Sequence, residues 1–110
     1  MKFLKVEIIE VDVSAYPGFV TCVFNDAYGK KWEILEKYPY FTEEDFSKKT
    51  VPFSGFYIPG NIIAKQNDKV VYFRTEFPDT KVPIFADDLT NEFYVFIDQL
   101  SDIHSGEETK

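Results

Sequence analysis

The sequence predicts an all-β fold: a six-stranded antiparallel barrel or small sandwich with one short helix. Twenty of the 110 residues are aromatic and 45% of the chain is hydrophobic, which supplies the buried area that a single domain of this size needs. Six runs have the pattern of strands, most of them with alternating apolar and polar residues, and turn residues separate them. We expect one domain over residues 1–104 and a flexible tail at 105–110.

The first strand is predicted over 4–13. Leu4, Val6 and Ile8 share one face, but the alternation slips by one residue at Ile8-Ile9. Such a slip indicates a β-bulge or a strong bend, as where one strand serves two sides of a barrel.

The second and third strands are predicted over 19–25 and 31–38, joined as a hairpin. Residues 26–29 form the tight turn, in which Gly29 accepts a positive φ. Both faces of 19–25 are largely apolar, so we expect this strand to lie inside the sheet.

A short helix is predicted over 42–49. Thr42 is its N-cap candidate, acids fill its first turn and Lys48-Lys49 ends it, which complements the helix dipole. Phe46 is expected to anchor this helix to the core.

Three more runs are predicted to be strands, over 56–65, 69–76 and 92–98. Pro59-Gly60 interrupts the first of them, which indicates an edge strand or a bent strand. Residues 77–91 form a long connection, and a loop of that length in a compact domain is often functional. Leu100 and Ile103 are expected on a final helical turn.

Few residues of this chain are suited to catalysis. The single histidine, His104, precedes the expected tail, where an imidazole is seldom held rigidly beside a nucleophile. One His and one Cys are too few for a zinc site. The single cysteine, Cys22, is expected to be a buried, inert thiol, and it cannot form an internal disulfide, which favours a reducing compartment. Glycine-rich phosphate-binding motifs are absent, so nucleotide hydrolysis is set aside, and no cofactor is predicted.

The charge of the chain is acidic and uneven. The net charge is −7, and residues 75–109 hold nine acids against one base, Lys81. We therefore expect no nucleic-acid binding, and basic partners would be steered toward this third of the chain. The alternative is that acidity only keeps the domain soluble. No apolar segment has the length of a signal-peptide core or a membrane helix, so we expect no membrane association and a cytoplasmic protein.

Four carboxylates lie on or beside the long connection: Glu76, Asp79, Asp87 and Asp88. Two of them facing each other across a cleft would form an acid–base pair, and together they would suit Ca²⁺ or Mg²⁺. The spacing of a calcium-binding loop is absent, and acids in a solvated loop are usually only solvated.

Several aromatic residues fall at turns or strand ends: Tyr16, Tyr28, Tyr38, Tyr40, Tyr57 and Phe77. Tyrosine at loop tips is common in binding surfaces; the alternative is that these rings close the barrel ends over the core. The sole arginine, Arg74, is expected to pair with an acid such as Glu36 or Glu76 inside or across the barrel.

Five short segments carry a resemblance to a known family: 16–20 (YPGFV), 26–30 (DAYGK), 36–39 (EKYP), 75–78 (TEFP) and 93–100 (FYVFIDQL). They resemble a small bacterial all-β family with no established activity. The resemblance covers most of the chain and implies a shared fold. It assigns no catalytic residue, and the segment 42–50 has no counterpart in it.

Three functions stay open. The first is a non-catalytic, acidic protein-binding module, such as an immunity-type inhibitor of a basic toxin nuclease. Its expected partner-binding residues are Tyr28, Tyr40, Tyr57, Glu76, Asp79, Asp87 and Asp88. The second is a small-ligand or carbohydrate-binding β-barrel that uses Tyr and Trp32 as stacking platforms. The third is a hydrolase that uses the loop carboxylates. The domain is expected to be a monomer, or a homodimer paired through an edge strand.

Overall fold

Seven antiparallel strands of one sheet make up most of the domain. The computed structural model describes residues 1–12, 14, 18–37 and 51–102. The strands are β1 (Lys2–Asp12), β2 (Phe19–Asn25), β3 (Lys31–Lys37), β4 (Phe53–Lys65), β5 (Val70–Thr75), β6 (Glu92–Phe96) and β7 (Leu100–Ser101). Their order is β3-β2-β1-β4-β5-β6, and β7 pairs with β1. The predicted helix at 42–49, Tyr40 and the predicted tail lie outside the described residues.

The sheet curls into a half-barrel, so the predicted all-β, barrel-like fold is confirmed. Two contacts draw the ends of the sheet together. The Ala27 amide in the β2–β3 turn donates to the Tyr94 carbonyl of β6, at 2.7 Å. Ile34 of β3 forms a β-bridge with Ala86, in the segment that precedes β6.

β1 is the strand that serves two sides of the barrel. Its register against β2 shifts between Ile8 and Glu10, and its register against β4 shifts between Val6 and Ile8. The predicted irregularity at Ile8-Ile9 is therefore confirmed. Because a shift of this kind bends a strand and increases its twist, β1 can follow the curl of the sheet.

β4 is a bent strand that lies between β1 and β5 in the sheet, which is one of the two predicted alternatives. Its first part, up to Gly60, pairs with β1, and its second part, from Gly60 to Lys65, pairs with β5. Pro59 is tolerated because the ladder to β5 begins only at Gly60, so no N–H is needed from Pro59 on that side. The Pro59 carbonyl instead accepts a hydrogen bond from the Glu76 amide, at 3.2 Å.

Inward-facing side chains fill the space enclosed by the sheet. The core includes fully buried residues of β1 to β6: Leu4, Ile8, Cys22, Ile34, Ile58, Phe73 and Val95. Phe93 lies among them with Phe24 and Trp32 edge-on to its ring, each at 5.0 Å between centroids. Edge-to-face contacts of this kind add to the stabilisation from burial.

The end of the described chain differs from its prediction. A 3₁₀ turn occupies Ile97–Gln99, earlier than expected, and Leu100 belongs to β7. The spacing of Leu100 and Ile103 is helical, but pairing with Leu4 of β1 holds Leu100 in an extended conformation. Ile103 lies outside the described residues.

Candidate functional site

The long connection between β5 and β6 is folded onto the barrel. Ile84 and Ala86 are buried in the core. Thr75, fully buried at the end of β5, holds the middle and the C-terminal end of the connection. Its hydroxyl donates to the Ile84 carbonyl at 2.7 Å, its carbonyl accepts from the Ile84 amide at 3.1 Å, and its amide donates to the Asn91 carbonyl at 2.8 Å. The connection is therefore a positioned segment, with buried residues that fix where its exposed residues lie.

Exposed apolar residues gather on the outer side of this segment. Ile34 and Ala86 form an antiparallel bridge and face inward. Leu35, which follows Ile34, therefore lies opposite Phe85, which precedes Ala86, and both side chains face outward. A 3₁₀ turn at Asp87–Leu89 follows and contacts β3. Leu35 is 64% exposed, Phe85 42% and Leu89 78%.

Two carboxylates flank these apolar side chains. Asp87 accepts a hydrogen bond from the Glu33 amide of β3 through Oδ1, at 3.3 Å. Asp88 is exposed and its carboxylate bonds to nothing within the described ranges. We call Leu35, Phe85, Asp87, Asp88 and Leu89 the acidic–apolar surface.

The backbone of this surface adopts an unusual conformation. Asp88 has φ of 64° and Leu89 has φ of 53°, both in the left-handed region. A non-glycine residue there costs about 1–2 kcal/mol, and Leu is seldom found in it because its Cβ crowds the following carbonyl. Strain of this kind is often retained at sites of function.

The structure separates the predicted partner-binding residues. Asp87 and Asp88 adjoin each other, and the exposed Asp79 lies in the turn at the start of the same connection. Glu76 is only 8% exposed and accepts a hydrogen bond from the Asn61 side chain, at 2.9 Å. Its carboxylate therefore stabilises the contact between β4 and the end of β5 rather than facing a partner.

Two predicted tyrosines lie away from this connection, and Tyr40 lies outside the described residues. Tyr28 is in the β2–β3 turn and is 64% exposed, while Tyr57 is half-buried in β4. The Tyr28 hydroxyl donates to Gln66 Oε1 in the β4–β5 turn, at 2.7 Å.

Tyr28 belongs to a row of tyrosines on the outer face of β5 and β6. The ring centroids of Tyr28 and Tyr94 are 5.6 Å apart, and those of Tyr94 and Tyr72 are 4.6 Å apart. Burial and the adjacent Glu92 carboxylate, with which it shares a hydrogen bond, raise the pKa of Tyr72. Sequence reasoning missed Tyr72 and Tyr94 as site residues. Their position on the polar face of the two strands was the available signal.

Arg74 pairs with an acid as predicted, but the acid is Glu92 and not Glu36 or Glu76, the two named as examples. The Arg74 Nε–Glu92 Oε2 distance is 3.0 Å, and both side chains are partly exposed. The two residues are directly opposed on β5 and β6, and directly opposed side chains are close enough to form an ion pair. The Arg74–Glu92 ion pair lies at one end of the tyrosine row.

Trp32 is held in place by its neighbours. Its Nε1 donates to Asp26 Oδ2 at 2.9 Å, and the ammonium of Lys30 lies over the ring, 4.2 Å from its centroid. Since Lys30 and Phe93 both contact the indole, Trp32 is poorly placed as the stacking platform that a carbohydrate-binding barrel would use.

The single cysteine of the chain, Cys22, is buried in the core. Burial raises the pKa of the Cys22 thiol to about 12, which fits the predicted inert thiol. Within the described ranges, no three His, Cys, Asp or Glu residues are grouped so as to hold a metal ion. His104 lies outside these ranges.

Comparison with protein-family models, curated proteins and solved structures finds no match to this chain. The resemblance to a small bacterial all-β family stays a prediction. Among the residues that the structure describes, no helix is long and apolar enough to cross a membrane.

Proposed function

We propose that this chain is a non-catalytic protein-binding module that binds a basic protein through the acidic–apolar surface. An immunity-type inhibitor of a basic enzyme, such as a toxin nuclease, is the specific version that we favour. The observation that carries the proposal is Leu89, 78% exposed next to the carboxylates of Asp87 and Asp88. Together with Leu35 and Phe85, Leu89 makes up an exposed apolar patch rimmed by acids, and such patches are typical of surfaces that a partner covers.

The distribution of acids supports a basic partner. Several acids of the C-terminal third are engaged within the domain: Glu76 with Asn61, Glu92 with Arg74, and Asp102 with Lys2. Asp79, Asp88 and Asp98 are exposed and have no side-chain partner in the described part of the chain. Uncompensated charge of this kind attracts a partner of opposite charge and increases its association rate.

The proposal is tested by photo-cross-linking in the source cells. A photoreactive amino acid replaces Phe85 in one variant and Ile62, an exposed apolar residue of β4, in a control variant. We expect one basic protein to cross-link through position 85 and not through position 62. The purified complex should weaken as salt rises, and weaken again in the double variant Asp87→Asn, Asp88→Asn. Binding that is insensitive to salt and to these substitutions would refute the proposal.

The tyrosine row supports a second candidate function, carbohydrate binding on the outer face. Tyrosine rings stack on the apolar faces of sugars, and the Gln66 amide and the Arg74–Glu92 pair offer hydrogen bonds at the two ends of the row. Oligosaccharides titrated against the wild type and Tyr28→Ala, with tyrosine fluorescence as the readout, test it. A response that is equal in both proteins would reject this site.

A further inference from the structure

We infer that Leu89 is the apolar anchor of the acidic–apolar surface, and that the partner presents one large apolar side chain flanked by Lys or Arg. This inference rests on the proposed function and adds the chemistry of the contact. It goes beyond charge attraction, because it assigns the lifetime of the complex to an apolar contact and only its association rate to the acids.

The apolar part of the contact follows from the arrangement of three side chains. The bridge between Ile34 and Ala86 places Leu35 and Phe85 side by side, and the turn at Asp87–Leu89 packs against the same strand. We therefore expect a partner side chain that covers Leu89 to reach Leu35 and Phe85 as well. Well-packed apolar contacts at the centre of an interface usually contribute most of its binding energy.

The charged part follows from the carboxylates beside Leu89. Asp87 uses Oδ1 for the Glu33 amide, which leaves Oδ2 to accept from a partner. Asp88 is exposed and unpaired within the described ranges. An apolar centre with carboxylates at its rim is complementary to an apolar side chain with cationic neighbours, and it disfavours an acidic partner.

The exposed anchor, Leu89, has a left-handed backbone conformation, as does Asp88. Asn adopts a positive φ with less strain than Leu, so Leu89→Asn should relieve the backbone while it removes the anchor. The inference therefore predicts that one substitution raises the denaturation midpoint and weakens binding. If Leu89 only supported the fold, the substitution would lower the denaturation midpoint as well as weaken binding.

Three peptides of defined charge and apolar content stand in for the unidentified partner: Lys-Lys-Trp-Lys-Lys, Lys-Lys-Gly-Lys-Lys and Glu-Glu-Trp-Glu-Glu. Amide chemical shifts of the ¹⁵N-labelled domain report where each peptide binds. The Trp-centred basic peptide should shift the amides of residues 85–89 and bind at least 5-fold more tightly than the Gly-centred one. Leu89→Asn should abolish that difference, and Ile62→Asn, the matched exposed control, should retain it.

The outcomes separate the inference from the proposed function. Equal binding of both basic peptides at residues 85–89 would overturn the anchor and leave a basic partner supported. Preference for the acidic peptide would overturn both. If Leu89→Asn binds the Trp-centred peptide as well as the wild type does, the anchor is wrong whatever its effect on stability.

Discussion

At the scale of single residues, Asp26 fixes the turn between β2 and β3. Its Oδ1 accepts hydrogen bonds from the amides of Tyr28 and Lys30, and its Oδ2 accepts one from the Trp32 indole, each at 2.9 Å. One side chain thus satisfies two turn amides and orients an aromatic ring at the edge of the core. Hydrogen bonds to an ionised acceptor are stronger than those between neutral groups.

Asp26→Ala should lower the free energy of unfolding by about 2–3 kcal/mol, because charge-assisted bonds are lost at the turn. Asp26→Asn should lower the free energy of unfolding by less. Its Oδ1 can still accept from both amides, and only the bond to the indole is lost, because an NH₂ group then faces the indole N–H. Urea denaturation followed by the fluorescence of the single Trp measures both variants. Equal losses for Ala and Asn would show that the bonds to the two amides contribute little and that the charge and the indole bond carry the effect.

Cys22 should be unreactive in the folded domain. Burial raises the pKa of its thiol from the ordinary 9.0 to about 12, so the reactive thiolate is scarce at pH 8. Iodoacetamide should therefore label the protein only in denaturant, as measured by mass spectrometry. Labelling of the native protein at the rate of a free thiol would contradict this expectation.

The same pKa shift gives a pH dependence of stability with a defined sign. Above pH 9 the thiol ionises in the unfolded chain but stays neutral in the folded one, so ionisation favours unfolding. The contribution of Cys22 to stability is complete below pH 9 and falls as pH rises toward 12. Cys22→Ala is the control, because this component of the pH dependence should disappear in it.

At the scale of elements, β4 shows how one strand joins two parts of the sheet. It changes its neighbour from β1 to β5 at Gly60. A Cβ at this position would overlap the Arg74 carbonyl oxygen and lie 2.7 Å from the ring of Phe73. Close approach of β5, rather than a turn, is therefore the reason that position 60 is glycine.

Gly60→Ala should lower the free energy of unfolding by about 3 kcal/mol or more, because both β5 and the Phe73 ring must move to make room. Gly29→Asn is a matched control. Gly29 has φ of 87° with nothing near its Cβ position, and Asn tolerates that conformation. Thermal or urea denaturation compares the two variants. A loss for Gly60→Ala no larger than that for Gly29→Asn would show that β4 can separate from β5 at little cost.

Strand positions followed from the sequence because alternation reports burial directly. β2 was predicted with its observed bounds, and the slip in β1 was located at its bulge. The buried part of the long connection was not predicted, since Ile84 and Ala86 are flanked by Pro, Asp and other turn residues. Their burial depends on Thr75, which lies on another element and gives no local signal.

At the scale of the whole molecule, the acidic charge could be predicted from the sequence, but the bonding partner of each carboxylate could not. The acidic third was evident from composition, but which of its carboxylates bond within the domain depends on the register of distant strands. Glu92 pairs with Arg74 because β5 and β6 align them, and Glu76 accepts from Asn61 because that residue lies on the adjacent strand β4. The apolar part of the acidic–apolar surface was missed because a large apolar residue in a sequence is ordinarily assigned to the core.

The net charge of −7 leads to a last prediction, in which salt affects stability and binding in opposite directions. Repulsion among like charges destabilises the compact domain, and both described ion pairs are partly exposed and contribute little. Raising KCl from about 0.02 to 0.2 M shortens the screening length and should raise the thermal midpoint of the domain alone. The same change should weaken its complex with the basic partner several-fold.

The double variant Asp87→Asn, Asp88→Asn distinguishes the two effects. Removing two negative charges should raise the midpoint at low salt and reduce its increase with KCl. It should also flatten the salt dependence of binding, because these carboxylates are proposed to attract the partner. Differential scanning calorimetry and titration calorimetry give the two series on the same samples. If salt lowers the midpoint of the wild type, attraction within the domain outweighs repulsion, and the surface acids are not free to serve a partner.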